Sequence, residues 1–153
     1  SAQMIHLSGK TKTVSDAYQL AKESLVSGRA LKVFNEMCEL QSGRIESLPF
    51  SKHSKTVLAT ESGYLQNFNV EKIGIAGITI QAGRQMTTDK IHPTAGVEFH
   101  KKIGDVVKIN DVIYTIHGDE PNLFSEAEEL LKSSYTISPN KPLQHMLIKK
   151  VLQ

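Results

Sequence analysis

Residues 43–54, Gly-Arg-Ile-Glu-Ser-Leu-Pro-Phe-Ser-Lys-His-Ser, hold neither a helical nor a strand period, and Pro49 within them prevents one helix from running through. The residues before this break are patterned for helices and those after it for short strands. A chain divided this way folds as α+β, with the two kinds of element segregated along the sequence.

The first part reads as a helical hairpin. Thr13 is an N-cap with Asp16 three residues on, and Val14, Ala17, Ala21 and Leu25 recur at helical spacing until Gly28 offers a left-handed stop. A second helix starts at Arg29, presents Leu31, Phe34, Met37 and Cys38 inward, and ends at Gly43. Two helices over residues 13–42 are marginal by themselves and leave an apolar stripe that something must cover. Either a missing part of the same protein packs there, or the stripe is an interface for another protein.

The second part begins with Thr56–Ala59 and Tyr64–Phe68 around a Glu-Ser-Gly turn, which together resemble a hairpin. Asn69 caps a helix from Val70 to about Ile80, with Val70, Ile73, Gly77 and Ile80 in phase; Gly74 and Gly77 leave room for a neighbouring backbone. The polar stretch from Gln81 to Ala95 is longer than a connector requires, a property of functional loops. Three short runs, Gly96–His100, Val106-Val107 and Val112–Ile116, are separated by turns at Ile103-Gly104-Asp105 and Asn110-Asp111 and predict a β meander. A capped helix from about Leu123 to Ser133 buries Ala127, Leu130 and Leu131, and Leu143, Met146, Leu147 and Val151 suit one further helical turn.

Several function classes are excluded at this level. The net charge of +2 comes from scattered Lys and Arg without interleaved aromatics, so the chain is not expected to bind nucleic acid. The single cysteine, Cys38, makes no intrachain disulfide and reads as packing beside Met37. No long apolar span or hydrophobic leader is visible, which points away from membranes and towards the cytoplasm. The chain opens at Ser1 without an initiator methionine, as an excised piece of a longer protein would. The six histidines, His6, His53, His92, His100, His117 and His145, lack the close spacing that places two on one metal, so no metal site is expected. Glu128-Glu129 and Asp119-Glu120 read as solvated faces, and Ser125 with Glu126 as helix-capping chemistry.

A family resemblance rests on Ala82-Gly83-Arg84, Asp89-Lys90-Ile91, Gly96-Val97, Lys101-Lys102-Ile103-Gly104-Asp105-x-Val107 and Ile113-x-Thr115-Ile116-His117, in that order. This series resembles the carboxyl-terminal domain of thymidine and pyrimidine-nucleoside phosphorylases. Ser27-Gly28-Arg29-Ala30-Leu31 through Phe34 to Gln41-Ser42-Gly43, and Glu61-Ser62-Gly63-Tyr64, resemble the segments that precede that domain and open it. Gln81, Asn110 and Ser42 each stand where the family commonly has glycine.

The resemblance implies a hammerhead-like layout. Residues 1–48 would be a helical segment of the parent's phosphate-binding α/β domain, 49–54 a linker, 55–135 the carboxyl-terminal domain and 136–153 a tail. It implies a parent enzyme in which phosphate, the co-substrate, displaces a pyrimidine base from a ribosyl or deoxyribosyl carbon, acting as a homodimer. Such chemistry needs an anion site near a helix start and cationic groups for the leaving base. In the family these precede this region. Ser27–Leu31 matches the first letters of the phosphate-binding signature, but Lys32 to Glu36 supplies none of the glycines of its continuation, so no catalytic residue and no cofactor is expected here. The partner implied is the missing amino-terminal catalytic region.

The candidate site is therefore the loop of Gly83, Arg84 and Asp89, acting as a lid over the parent's active site, or else held by a plain Arg84–Asp89 ion pair. A carrier domain modified with lipoyl or biotinyl on Lys90 is the rival reading, since Gly104-Asp105-x-Val107 echoes such domains. Only Ile91 and His92 separate Lys90 from Pro93, which is too short for the strand a carrier hairpin needs.

Overall fold

The computed structural model describes residues 1–143 and Ile148. The chain divides into two compact units, Ser1–Leu48 and Pro49–Gln153.

The first unit is helical. It holds α1 (Ala2–Leu7), α2 (Val14–Val26) and α3 (Arg29–Leu40). The short α1 packs on α2 and has no counterpart in the expected hairpin. Thr13 caps α2 as expected, its hydroxyl accepting from the Asp16 amide at 3.1 Å, and Gly28 joins α2 to α3 at φ 76°. The end of α3 differs from the sequence expectation. The left-handed residue is Ser42 (φ 62°) and not Gly43; the Gly43 amide donates to the Cys38 carbonyl at 2.7 Å and the Ser42 amide to Glu39 at 2.9 Å. Those two bonds form a Schellman stop in which the glycine sits one place too late to supply the turn.

The helices bury little. Ala17 alone is fully buried in them, whereas Leu25, Leu31, Phe34 and Met37 stay exposed and Cys38 half-buried. The inward face expected for α3 is thus not inward here, because three short helices cannot enclose so wide an apolar stripe.

The second unit contains β1 (His53–Leu58), β2 (Gly63–Phe68), α4 (Val70–Thr79), β3 (Gly96–Phe99), β4 (Val106–Val107), β5 (Val112–Gly118), α5 (Phe124–Lys132) and β6 (Tyr135–Ser138). These strands form two antiparallel sheets, ordered β1-β5-β3 and β4-β2-β6. The expected β1–β2 hairpin does not exist. Ala59 exchanges hydrogen bonds with Asn110 and Asp111 at 2.9 Å each, which ties the end of β1 to the turn before β5, and β2 spends its two edges on β4 and β6. The expected meander fails for a similar reason. Leu65 in β2 donates to Asp105 and accepts from Gly104, so the chain after β3 is hooked onto the second sheet before it returns as β5. Strand β6 begins just where a tail was expected, while Met146, Leu147 and Val151 lie outside the described residues.

Helix α4 forms as predicted, with the Asn69 side chain accepting from the Lys72 amide at 3.1 Å. Its buried line is Ala76 and Ile80 with Ile73 beside them, and Val70 is exposed. A Cβ on Gly74 or Gly77 would meet nothing within 4 Å, so no backbone among the described residues uses the room they leave. Helix α5 has no side-chain cap, and Ser125 lies inside it; a 3-10 turn at Pro121–Leu123 leads straight into Phe124 and replaces the cap.

The core joins both sheets and both helices. Tyr114, Ile113 and Ile116 from β5, Leu65 from β2, Val57 from β1 and Leu131 from α5 are all fully buried. Tyr114 stacks edge-on against Phe99 at 5.1 Å and Tyr135 at 5.9 Å, and its hydroxyl meets Ser134 Oγ at 2.8 Å. Ser134 already donates to the Leu131 carbonyl, so Tyr114 is the donor in that pair. Burial pushes the Tyr114 hydroxyl up to about 12.

Candidate functional site

The polar stretch from Gln81 to Ala95 is a folded loop that leaves the end of α4. Gln81 turns left-handed at φ 67°, the Ala82 amide donates to Gly77, and the His92 amide returns to the Gln81 carbonyl at 2.9 Å, closing the loop at its neck. The Asp89 carboxylate accepts from the Gln85 and Met86 amides at 3.0 and 2.8 Å, which organises the tip. Gly83 lies against α4; a Cβ there would come within 3.1 Å of Ile78 Cγ1.

Arg84 is exposed and, among the described residues, makes no ion pair. The simple Arg84–Asp89 pairing is therefore absent: Asp89 is occupied by backbone amides and the guanidinium is left to solvent. A cleft of about 430 Å³ opens between this loop, the end of α4 and the start of α5, with Thr79, Lys90, His92 and Glu126 on its walls. Lys90 sits in irregular chain, not at the tip of a β hairpin, so the carrier reading is not favoured.

The Ser27–Leu31 segment is the tight α2–α3 connection at Ser27-Gly28 and the start of α3, where Arg29 pairs with Glu23 at 3.2 Å. Among the described residues, no group of His, Cys, Asp and Glu is arranged to hold a metal ion, and no helix is long and apolar enough to cross a membrane.

Residues 64–138 match the family model of the pyrimidine nucleoside phosphorylase C-terminal domain. Those residues form a domain of that family. Among curated proteins it is similar to the pyrimidine-nucleoside phosphorylase of Staphylococcus haemolyticus (strain JCSC1435), 32% identical over 138 residues that make up 86% of this chain and 32% of that protein. It is similar also to the pyrimidine-nucleoside phosphorylase of Staphylococcus aureus (strain USA300), 32% identical over 143 residues, 90% of this chain and 33% of that protein. The chain spans about a third of the length of the curated relatives it matches.

The chain holds left-handed backbone at three positions that are not glycine. Ser42, Gln81 and Asn110, the three positions at which the resemblance implies glycine, are the three non-glycine residues with positive φ among the described ones, at 62°, 67° and 70°. Asn tolerates this region well, whereas Ser and Gln are held in it against the Cβ–carbonyl repulsion. Gln81→Gly is therefore expected to stabilise the domain by about 1 kcal/mol, less what a more flexible unfolded chain takes back. Thermal unfolding of the two proteins checks it, and a fall in Tm would show that the Gln81 side chain holds the loop neck.

Three clusters of the phosphorylase domain escaped the sequence reading. Glu128 is no solvated carboxylate: it accepts from Lys55 in β1 at 2.6 Å and from Lys132 at 2.8 Å, and these ammonium groups, Lys132 foremost, hold its carboxyl below the usual range. Asp119 is likewise engaged, accepting the Lys52 amide at 2.9 Å, which lowers it. On the outer side of β3 and β5, His117 lies between Ser51 and Glu98, and His100 Nε2 meets Thr115 Oγ1 at 2.8 Å. The i, i+4 spacing of Glu128 and Lys132 was a usable signal. The other contacts join residues 15 or more apart and carried none.

Proposed function

We propose that this chain is the carboxyl-terminal part of a pyrimidine-nucleoside phosphorylase and has no phosphorolytic activity of its own. In the parent, phosphate displaces the pyrimidine base from the ribosyl or deoxyribosyl carbon to give the sugar 1-phosphate; the residues that bind phosphate and polarise the base belong to the missing amino-terminal region. The reading is supported above all by the family match over residues 64–138 together with a chain only a third as long as its relatives. The exposed Leu25, Leu31, Phe34 and Met37 support a packing role for the helical unit: that much apolar surface is costly to leave in water and suits a covering partner. We place the parent in the cytoplasm as a homodimer, on the resemblance alone.

The Gly83–Asp89 loop is the part of this chain assigned to closure over the parent's active site. Its neck is fixed by hydrogen bonds and its tip is ordered by Asp89, which leaves Arg84 presented to solvent as an unspent cation. Such a group stabilises a closed state through an anionic or carbonyl partner on the facing domain and does no chemistry itself.

Two measurements test these statements. Phosphate-dependent release of thymine from thymidine and of uracil from uridine is expected from the full-length gene product and not from this chain. Release by this chain alone would overturn its inactivity, and release by neither would overturn the substrate class. In the full-length protein, Arg84→Ala is expected to lower kcat/KM about tenfold, roughly the value of one charge-assisted contact, with Tm unchanged. Unaltered catalytic efficiency would sink the lid.

A further inference from the structure

The outer side of β3 and β5 carries a constellation unrelated to the loop. Ser51 Oγ lies 3.3 Å from His117 Nδ1, and His117 Nε2 lies 3.1 Å from Glu98 Oε2. Hydrogen-bond logic fixes the direction of the protons. A carboxylate only accepts, so His117 Nε2 carries the proton given to Glu98; in the neutral ring, Nδ1 is then the lone pair, and Ser51 must donate to it. A hydroxyl, a base that receives its proton and a carboxylate that orients the base are the parts of an activated serine, here with the ring nitrogens exchanged relative to the usual protease order.

The fold holds each part in place. His117 lies on β5, the fully paired central strand, and Glu98 on β3 opposite Thr115, two residues along from His117 on the same face. Ser51 is set by its neighbour: the Lys52 amide donates to Asp119 at 2.9 Å, which pins the segment before β1 to the chain just beyond His117. Ser51 and His117 are half-buried and Glu98 is exposed, so the group lies at the protein surface. The Glu98 oxygen has a second suitor, His100 Nε2 at 3.9 Å, but His100 is engaged by Thr115.

We propose that Ser51 is an activated nucleophile, open to covalent modification by acyl and sulfonyl electrophiles, with His117 as its base and Glu98 as the positioning residue. With a sulfonyl fluoride, Ser51 Oγ forms the bond to sulfur and the S–F bond breaks. Fluoride leaves with the electron pair, and the Oγ proton passes to His117 Nδ1 and on to solvent. This assignment does not depend on the phosphorylase reading.

The test is labelling of this 153-residue chain with phenylmethanesulfonyl fluoride, located by peptide mass spectrometry. Ser51 is expected to be labelled on the order of tenfold faster than Ser47 and Ser54, both more exposed, because a positioned base offsets its lesser exposure. That advantage should vanish in His117→Ala. Glu98→Gln should slow Ser51 on the order of tenfold and leave Ser47 and Ser54 unchanged. Labelling spread over the serines according to exposure, or a Ser51 rate indifferent to both His117→Ala and Glu98→Gln, would overturn the proposal. The internal serines keep the comparison valid even in a variant of reduced stability.

Discussion

Tyr114→Ala is expected to cost about 4 kcal/mol, a large part of the stability of a domain this size. Tyr114 is fully buried on the central strand β5, where its ring joins Phe99 and Tyr135 and its hydroxyl meets Ser134. Removing it empties the point at which both sheets converge. Tyr114→Phe separates ring from hydroxyl: it keeps the packing, leaves Ser134 bonded to the Leu131 carbonyl, and is expected to cost about 1 kcal/mol.

The same hydroxyl gives the domain an alkaline limit. Burial raises Tyr114 from 10.0 to about 12, so the folded state favours the neutral phenol more than the unfolded state does. Its contribution is complete below pH 10 and is lost as pH climbs from 10 towards 12. Urea unfolding at about pH 8 and about pH 11 should show the gap between wild type and Tyr114→Phe narrowing or reversing at the higher pH. A gap independent of pH would mean the phenol is not buried as described. Tyr135, which burial also raises, remains in both proteins and cancels from the comparison.

Gly63→Ala is the second large effect, expected at about 3 kcal/mol. A Cβ at Gly63 would stand 2.5 Å from the Ser138 carbonyl oxygen and 2.9 Å from Ile137 Cγ2, both on the neighbouring strand β6. Backbone cannot yield as a flexible side chain does, so alanine must push β6 away and break the Tyr64–Ser138 pairing. Gly74→Ala and Gly77→Ala in α4 are the contrast. With open space at each Cβ, they should stabilise this chain by about 0.5–1 kcal/mol apiece through helix propensity. Urea unfolding of the three variants checks the sign at each site, and a neutral Gly63→Ala would show that β6 is not held where it is described.

Local grammar was legible where a residue acts on its own neighbours in sequence. Thr13 and Asn69 cap α2 and α4 as their side chains dictate; Asn110 turns left-handed, as its chemistry allows; and the Gly83–Asp89 loop stands where Gly and Pro broke the pattern. The loop's position was thus readable, whereas the use of Asp89 on backbone amides and not on Arg84 is settled only in the folded chain. The cap misplaced at Gly43 shows the limit even locally: hydrogen-bond registration put Ser42 in the strained place one residue earlier.

The sequence by itself determined the α+β class, the existence of most elements and the family. These come from periodicity and turn chemistry within a few residues, and from motif order. The tertiary structure alone decided which strands pair. β1, β2, β3 and β4 each have a pattern that fits several neighbours, and the choice fell to the arrangement that buries Tyr114, Leu65 and Val57 together while giving every strand a paired neighbour. The same long-range choice brought Lys55 to Glu128, and Ser51 to His117 across 66 residues of chain, contacts that no local period encodes.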